Sequence, residues 1–159
     1  MRIRFQLAAI KLREGVIDFL DQLARININK ALITDLTAQI QFRKLVYLEL
    51  DRHFEYVVTS EESGEDKPHR ASFEIATNKL YPSTGLNTPE LQEQNIWMIG
   101  DNVDSDLKGA KEAVNATTLG IKSEIGDHAG NNSIDMVFDS FHDLEQFISE
   151  KGWDRTSNE

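Results

Sequence analysis

Short apolar runs that stop at polar residues, alternating with stretches of helical periodicity, constrain this chain more than any other feature. Lys30 to Leu36 is one such run. Tyr56 to Ser60, Ile96 to Gly100, Thr117 to Ile121 and the very short Asp135 to Asp139 are four more. Each has the length of a strand. Helical patterns lie between them. Val16, Phe19, Leu20 and Leu23 share one face after Gly15, and Thr37 is placed to cap a helix with Phe42, Leu45 and Val46 inward. Phe73, Ala76 and Leu80 follow Pro68, and Leu107, Ala110 and Val114 mark a fourth helix. Ser140-Phe-His-Asp143 opens a last one, with Phe141, Leu144 and Ile148 inward. Strands alternating with helices predict an α/β fold with a mostly parallel sheet covered on both faces. In such sheets ligands sit at the carboxyl ends of the strands. The polar residues there are Thr34-Asp35, Thr59-Ser60 and Gly100-Asp101.

A length of 159 residues suits one domain with a sizeable core. No repeat, low-complexity tract or clear linker divides it, so 1–159 is expected to be a single domain with a polar, frayed tail at 154–159. Pro82 to Asn95 is turn-rich and reads as a loop. Acids outnumber bases, 27 Asp and Glu against 17 Lys and Arg, for a formal net charge of -10. Such a surface repels phosphate backbones, which argues against nucleic acid as a partner. There is no Cys, so a disulfide framework, a Cys-ligated zinc and a thiol nucleophile are all excluded. No apolar run approaches the ~20 residues of a membrane span. The basic, acid-free start, Met1 to Arg13, holds only Leu7-Ala-Ala-Ile10 as a continuous apolar stretch, too short for a secretory signal. Its charge alone would also suit a transit peptide, and cytoplasmic is the default expectation. The triplets Asn115-Ala-Thr117 and Asn131-Asn-Ser133 have meaning for glycosylation only in a secreted chain.

Three constellations carry chemistry. Ile96-Trp-Met-Ile-Gly100 ends in three nearby carboxylates, Asp101, Asp104 and Asp106. Crowded carboxylates repel one another unless a cation lies between them, and hard oxygen ligands suit Mg²⁺. The plainer reading is a solvated turn whose acids favour a helix N-terminus. A calcium-binding EF-hand starting at Asp104 fits at Gly109 but fails at Asn115, where Glu is required, and at Lys108. Glu65-Asp-Lys-Pro68 places Lys67 shortly after the second strand, where Pro68 biases it to extended backbone and starts the next helix. A Lys so held can neutralise a phosphate or a carboxylate cluster, although most Lys are simply solvated. Thr34 closes the first strand, where its hydroxyl could donate to a phosphoryl oxygen or merely cap the strand end.

Taken in order, Thr, then Lys-Pro, then Gly-Asp-x-x-x-x-Asp, each at a strand end, resemble motifs two, three and four of the haloacid dehalogenase-like (HAD) hydrolases. The strings Thr34-Asp-Leu-Thr-Ala-Gln-Ile-Gln41, Thr59-Ser-Glu-Glu62 with Lys67-Pro68, and Ile99-Gly-Asp-Asn102 with Lys108-Gly-Ala110 look like a phosphatase-type branch. The resemblance runs from about Leu12 to about Ile148. It implies a Rossmann-like three-layer domain and a Mg²⁺-dependent phosphate-ester hydrolase working through an aspartyl-phosphate. It also implies a phosphorylated small molecule as substrate. Covalent catalysis and neutralisation of phosphoryl charge are the physical content of that mechanism. Mapped by motif, Thr34 would hydrogen-bond the phosphoryl group and Lys67 would stabilise nucleophile and phosphate. Asp101 would be a direct Mg²⁺ ligand, and Asp106 a second acid acting through water or by pairing with Lys67.

Two departures qualify this. The nucleophile motif, Asp-x-Asp closing an N-terminal strand, is not found upstream of Thr34; the first acids are Glu14 and Asp18. The chain therefore looks like the later portion of the family's domain, lacking the first strand and most of the cap, with 1–13 as a cap remnant. The family order puts the missing strand between the Lys30 and Ile96 strands, which would leave two edges unpaired. Ile3, Phe5 and Leu7 alternate with Arg2, Arg4 and Gln6, yet a helical cap remnant is the expectation there. In the second departure, Asp35 stands where members commonly carry Asn, and a carboxylate beside a phosphate would repel it unless it points away. The expectation is a hydrolase chain inactive on its own; the alternative is a non-catalytic remnant that binds Mg²⁺ or a partner. A receiver-like signalling domain is disfavoured, because acid, Thr and Lys come in the wrong order. Substrate identity and oligomeric state are not legible.

Overall fold

A computed structural model describes residues 11–82 and 96–151. The alternating segment 2–7, the loop 83–95 and the tail 154–159 lie outside the described residues. The strands are β1 (Ala31–Thr34), β2 (Tyr56–Thr59), β3 (Trp97–Ile99), β4 (Thr117–Ile121) and β5 (Met136–Phe138). The principal helices are α1 (Val16–Arg25), α2 (Ala38–Tyr47), α3 (Arg70–Leu80), α4 (Gly109–Val114) and α5 (Phe141–Glu150). All strand pairings are parallel, as the alternation of strands and helices requires.

Among the described residues the strands form two separate sheets, β1-β2 and β3-β4-β5. Ile33 aligns with Val58 in the first; Met98 aligns with Thr118, and Gly120 with Val137, in the second. Among the described residues no strand pairing joins β1 to β3. Helices on both faces hold the halves together. On one face α1 sends Phe19 into a core with Leu119, Ile121, Leu144 and Ile148, and Leu20 into a second core with Leu45 and Leu50. On the other face Phe73 of α3 packs with Ala110 and Ala116, and both Ile33 of β1 and Met98 of β3 rest on that cluster. The division of faces follows from strand alternation. Leu32 and Ile99 turn one way, and Ile33 and Met98 the other.

Three local expectations are corrected. In α2, Leu45 is buried, but Phe42 and Val46 are exposed at 51% and 63%, and Gln41 takes the inward place beside Leu45. A four-residue step from Gln41 to Leu45 sets the buried stripe, and the apolar residues on either side of it misled the phase. Pro68 does not start α3; the helix begins at Arg70, with His69 as its cap accepting the Ala71 N–H. The helix expected around Leu107 opens as a six-residue π-helical turn, Val103–Lys108, before continuing as α4.

A polar fastener joins β4 to β5. The buried Thr118 hydroxyl accepts the Asp135 N–H at 3.1 Å, and the Thr118 N–H donates to Asp135 Oδ2 at 2.9 Å. Lys111 pairs with the other carboxylate oxygen. Burial alone would raise the Asp135 pKa, but the Lys111 ammonium and the Thr118 donors outweigh it and hold it below the ordinary carboxylate range. A lowered folded-state pKa means that the unfolded chain binds the proton more readily. The stabilisation is therefore present above the unfolded pKa and fades as pH falls through the folded one. Asp135→Asn is expected to cost about 1–3 kcal/mol at neutral pH in urea denaturation. The gap between the two proteins should narrow as pH drops below the ordinary carboxylate range; a constant gap would contradict the assignment.

Candidate active site

The carboxyl ends of β1 and β3 converge on Lys67. Its side chain is 10% exposed, and its Nζ lies 2.7 Å from Asp106 Oδ1, itself a buried carboxylate. Nζ also approaches the Ile33 carbonyl oxygen at 3.5 Å. The ammonium thus links the end of β1 to the turn after β3. Burying a lone charge would be costly, and this pairing is what allows Lys67 and Asp106 to lie out of water. Asp106 is further fixed by the Asn102 N–H, which donates to Oδ2 at 3.3 Å, and by Ser105 Oγ at 3.4 Å from Oδ1.

Two glycines make the approach possible. A Cβ on Gly100 would sit 2.6 Å from Asp106 Cβ and 2.9 Å from its Oδ2. A Cβ on Gly109 would sit 2.9 Å from the Phe73 ring and 3.0 Å from Pro68 Cβ. The first contact would drive Asp106 off the end of β3. The second would lift the Lys67-Pro68 segment away from the helix. The π-helical turn completes the arrangement: Asp106 and Leu107 both donate their N–H to the Asn102 carbonyl, at 2.9 and 3.3 Å, and the Asn102 side chain accepts the Ser105 N–H at 2.9 Å. The widened turn sends Val103, Asp106 and Leu107 inward together.

Thr34 closes β1. Its hydroxyl lies 3.3 Å from Gln41 Oε1 and accepts the Leu36 N–H at 3.2 Å. Asp35 turns to the Lys67 segment: its Oδ1 accepts the Lys67 N–H at 3.0 Å, and its Oδ2 is 3.9 Å from Nζ. Its backbone carbonyl accepts from Ser60 Oγ at 3.1 Å, so the first two strand ends are stitched together through Asp35. The carboxylate that could have repelled a phosphate is instead a fastener for the lysine. Thr59 serves as the cap of the turn Ser60–Ser63, accepting the Glu62 N–H.

Asp101 is exposed at the end of β3 and lines a cavity of about 950 Å³ between the two half-sheets. Leu32, Gln41 and Leu45 line it from one side, and Ile121 and Phe141 from the other. Lys67 and Asp106 are brought together, and Lys67 reaches the carbonyl of Ile33, the residue before Thr34; Thr34 itself bonds Gln41 and Leu36, and Asp101 lines the cavity. Among the described residues no group of three His, Cys, Asp or Glu lies close enough to hold a metal ion. Asp101 supplies one open carboxylate and Asp106 is committed to Lys67, so these residues do not by themselves make a Mg²⁺ site. Gln41 and the stitching role of Asp35 escaped the sequence reading. The signal for Gln41 was a polar residue one turn before Leu45; Asp35 carried none beyond its departure from Asn.

The haloacid dehalogenase-like hydrolase profile matches residues 2–121. The chain belongs to that family. It is 28% identical over 143 residues to a glyceraldehyde 3-phosphate phosphatase of Methanocaldococcus jannaschii, covering 90% of this chain and 59% of the relative. It is 31% identical over 137 residues to a ribulose-1,5-bisphosphate 5-phosphatase of Halopiger xanaduensis, covering 82% and 54%. The HAD phosphatase of Thermococcus onnurineus has the same fold, with a TM-score of 0.73 at 23% identity over 91% of this chain and 60% of that one. The chain therefore spans little more than half the length of these curated relatives.

Gly100→Ala is expected to destabilise the protein by about 1–3 kcal/mol through overpacking against Asp106. Gly130→Ala, where a Cβ meets nothing within 4 Å, serves as the control and should be near neutral in the same denaturation. Equal effects would show that the close approach of Gly100 to Asp106 is not a constraint.

Proposed function

We propose that this chain supplies the later catalytic elements of a phosphate-ester hydrolase acting on a phosphorylated small molecule through an aspartyl-phosphate. The observation that carries the reading is the buried Lys67–Asp106 pair at 2.7 Å, held at the carboxyl ends of β1 and β3 beside Thr34. Support comes from the family membership and from relatives named as phosphatases of glyceraldehyde 3-phosphate and ribulose-1,5-bisphosphate.

In this reading Lys67 has three N–H donors. Asp106 takes one, the Ile33 carbonyl takes a second, and the third is left for a phosphoryl oxygen. Asp106 and Asp35 hold the ammonium in place from two sides, so no reorganisation is needed when phosphoryl charge arrives. The Thr34 hydroxyl, positioned by Gln41, offers a second hydrogen bond to the same group. Magnesium is the cation the family implies, and it would neutralise phosphoryl charge when bound. This chain contributes Asp101 as one hard ligand, with Asp106 reaching the ion only through water. The remaining ligands, like the nucleophile, would come from an Asp-x-Asp strand.

The 159-residue chain alone is accordingly expected to give no Mg²⁺-dependent turnover of p-nitrophenyl phosphate. A chimera carrying the Methanocaldococcus jannaschii relative's N-terminal portion ahead of residue 11 should hydrolyse it. Lys67→Met or Asp101→Asn in that chimera should lower kcat by roughly 10²–10³. Turnover by the unaltered chain, abolished by Asp101→Asn, would instead give the nucleophile's role to another group such as Asp35. Full activity in the Lys67→Met chimera would remove Lys67 from the site.

A further inference from the structure

Gln41 is 5% exposed and sits on the buried stripe of α2 beside Leu45, where an apolar side chain would leave no amide to satisfy. Its bonding differs from that of Gln22, the other buried glutamine among the described residues. The Nε2 of Gln22 is anchored, donating to the Glu145 carbonyl at 3.0 Å and to Ser149 Oγ. Gln41 bonds through its side-chain oxygen: Oε1 accepts from the Thr34 hydroxyl at 3.3 Å, and Nε2 has no partner among the described residues. The last torsion of a glutamine is broad and roughly two-fold, so the Gln41 amide can turn over without giving up a bond at nitrogen.

The Thr34 hydroxyl has one proton and two lone pairs. The Leu36 N–H donates to one lone pair at 3.2 Å, and the proton goes to Gln41 Oε1. In that arrangement Thr34 has no donor left for a phosphoryl oxygen. Turning the Gln41 amide over reverses the bond. Nε2 then donates to the second lone pair, both acceptor positions are filled, and the proton is released from Gln41. The number of bonds between the two side chains is unchanged. What is gained is a hydrogen bond from the hydroxyl to an anion, about twice as strong as a neutral one. An apolar side chain at this position would leave the hydroxyl free to rotate, and a carboxylate would hold its proton permanently. An amide, with an acceptor at one end and donors at the other, can do either.

We propose that Gln41 is a positioning residue whose amide sets the direction of the Thr34 proton: oxygen toward Thr34 in the arrangement seen, nitrogen toward it once the hydroxyl donates to a phosphoryl oxygen. The inference rests on the hydrolase reading for the phosphoryl group, and not for the bond between Thr34 and Gln41. The probe is orthophosphate, titrated to tens of millimolar into the whole 159-residue chain. NMR follows the Thr34 and Lys67 backbone amides and the Gln41 side-chain amide. In the unaltered chain all of these resonances should move together, with one affinity. Thr34→Val should weaken binding roughly tenfold, the loss of one donor to an anion. Gln41→Glu should weaken it at least as much at neutral pH, and adding Thr34→Val should then cost nothing further, because the carboxylate already holds the proton. In the Gln41→Met background Thr34→Val should keep its full cost. A glutamate acting by charge alone would also leave that cost intact, so the double variant separates the two effects. The proposal is overturned if Thr34→Val costs as much with Gln41→Glu as without it, or if phosphate moves Thr34 and Lys67 but not the Gln41 amide. The second criterion needs no variant, so a variant that fails to fold leaves the test standing. No shift at Thr34 or Lys67 would sink the hydrolase reading, and the inference with it.

Discussion

A buried ammonium 2.7 Å from a buried carboxylate joins the two halves of this molecule, and much of the local architecture serves that contact. Lys67 arrives on the segment after β2 and Asp106 on the turn after β3. No backbone hydrogen bond joins those two sheets among the described residues. Gly100 leaves room for Asp106, Gly109 lets Phe73 and Pro68 close in, and Asp35 ties the Lys67 backbone to β1. A buried ion pair is a poor source of net stability, because desolvation offsets most of the attraction. Its value lies in geometry. It fixes one cation at the carboxyl ends of two strands, where this fold class places its ligands.

The division of the sheet shows how packing can stand in for pairing. Phe19 and Leu20 of α1 reach the two halves on one face, and Phe73 of α3 bridges Ile33 and Met98 on the other. Helix packing of this kind holds the two sheets together where no backbone pairing joins them among the described residues. The cavity that Asp101 lines lies between these two halves.

Much of this was legible in the residues. The five apolar runs appear as strands with ends shifted by a residue or two, because a run stopping at a polar residue marks both the element and its carboxyl end. Those ends pointed to Thr34, Lys67, Asp101 and Asp106, of which Lys67 and Asp106 meet in a buried ion pair. The inward stripe of α2 was misread because Phe42 and Val46 are apolar yet exposed, while Gln41 is polar yet buried through its bond to Thr34. Hydrophobicity alone cannot report a polar residue buried for its hydrogen bond. The π-helical turn and the role of Asp35 were likewise invisible, since each depends on contacts between segments distant in sequence. The fasteners of the site, more than its chemistry-bearing residues, were hidden from the sequence.

The most direct test is a double-mutant cycle on Lys67→Met and Asp106→Leu, read by urea denaturation of the whole chain. Each single change leaves the other charge buried without its partner and should cost about 3–5 kcal/mol. The double variant should be no worse than either alone, giving a coupling of about 3 kcal/mol or more. Additive effects would mean that the two groups act independently and that the pair does not organise the site.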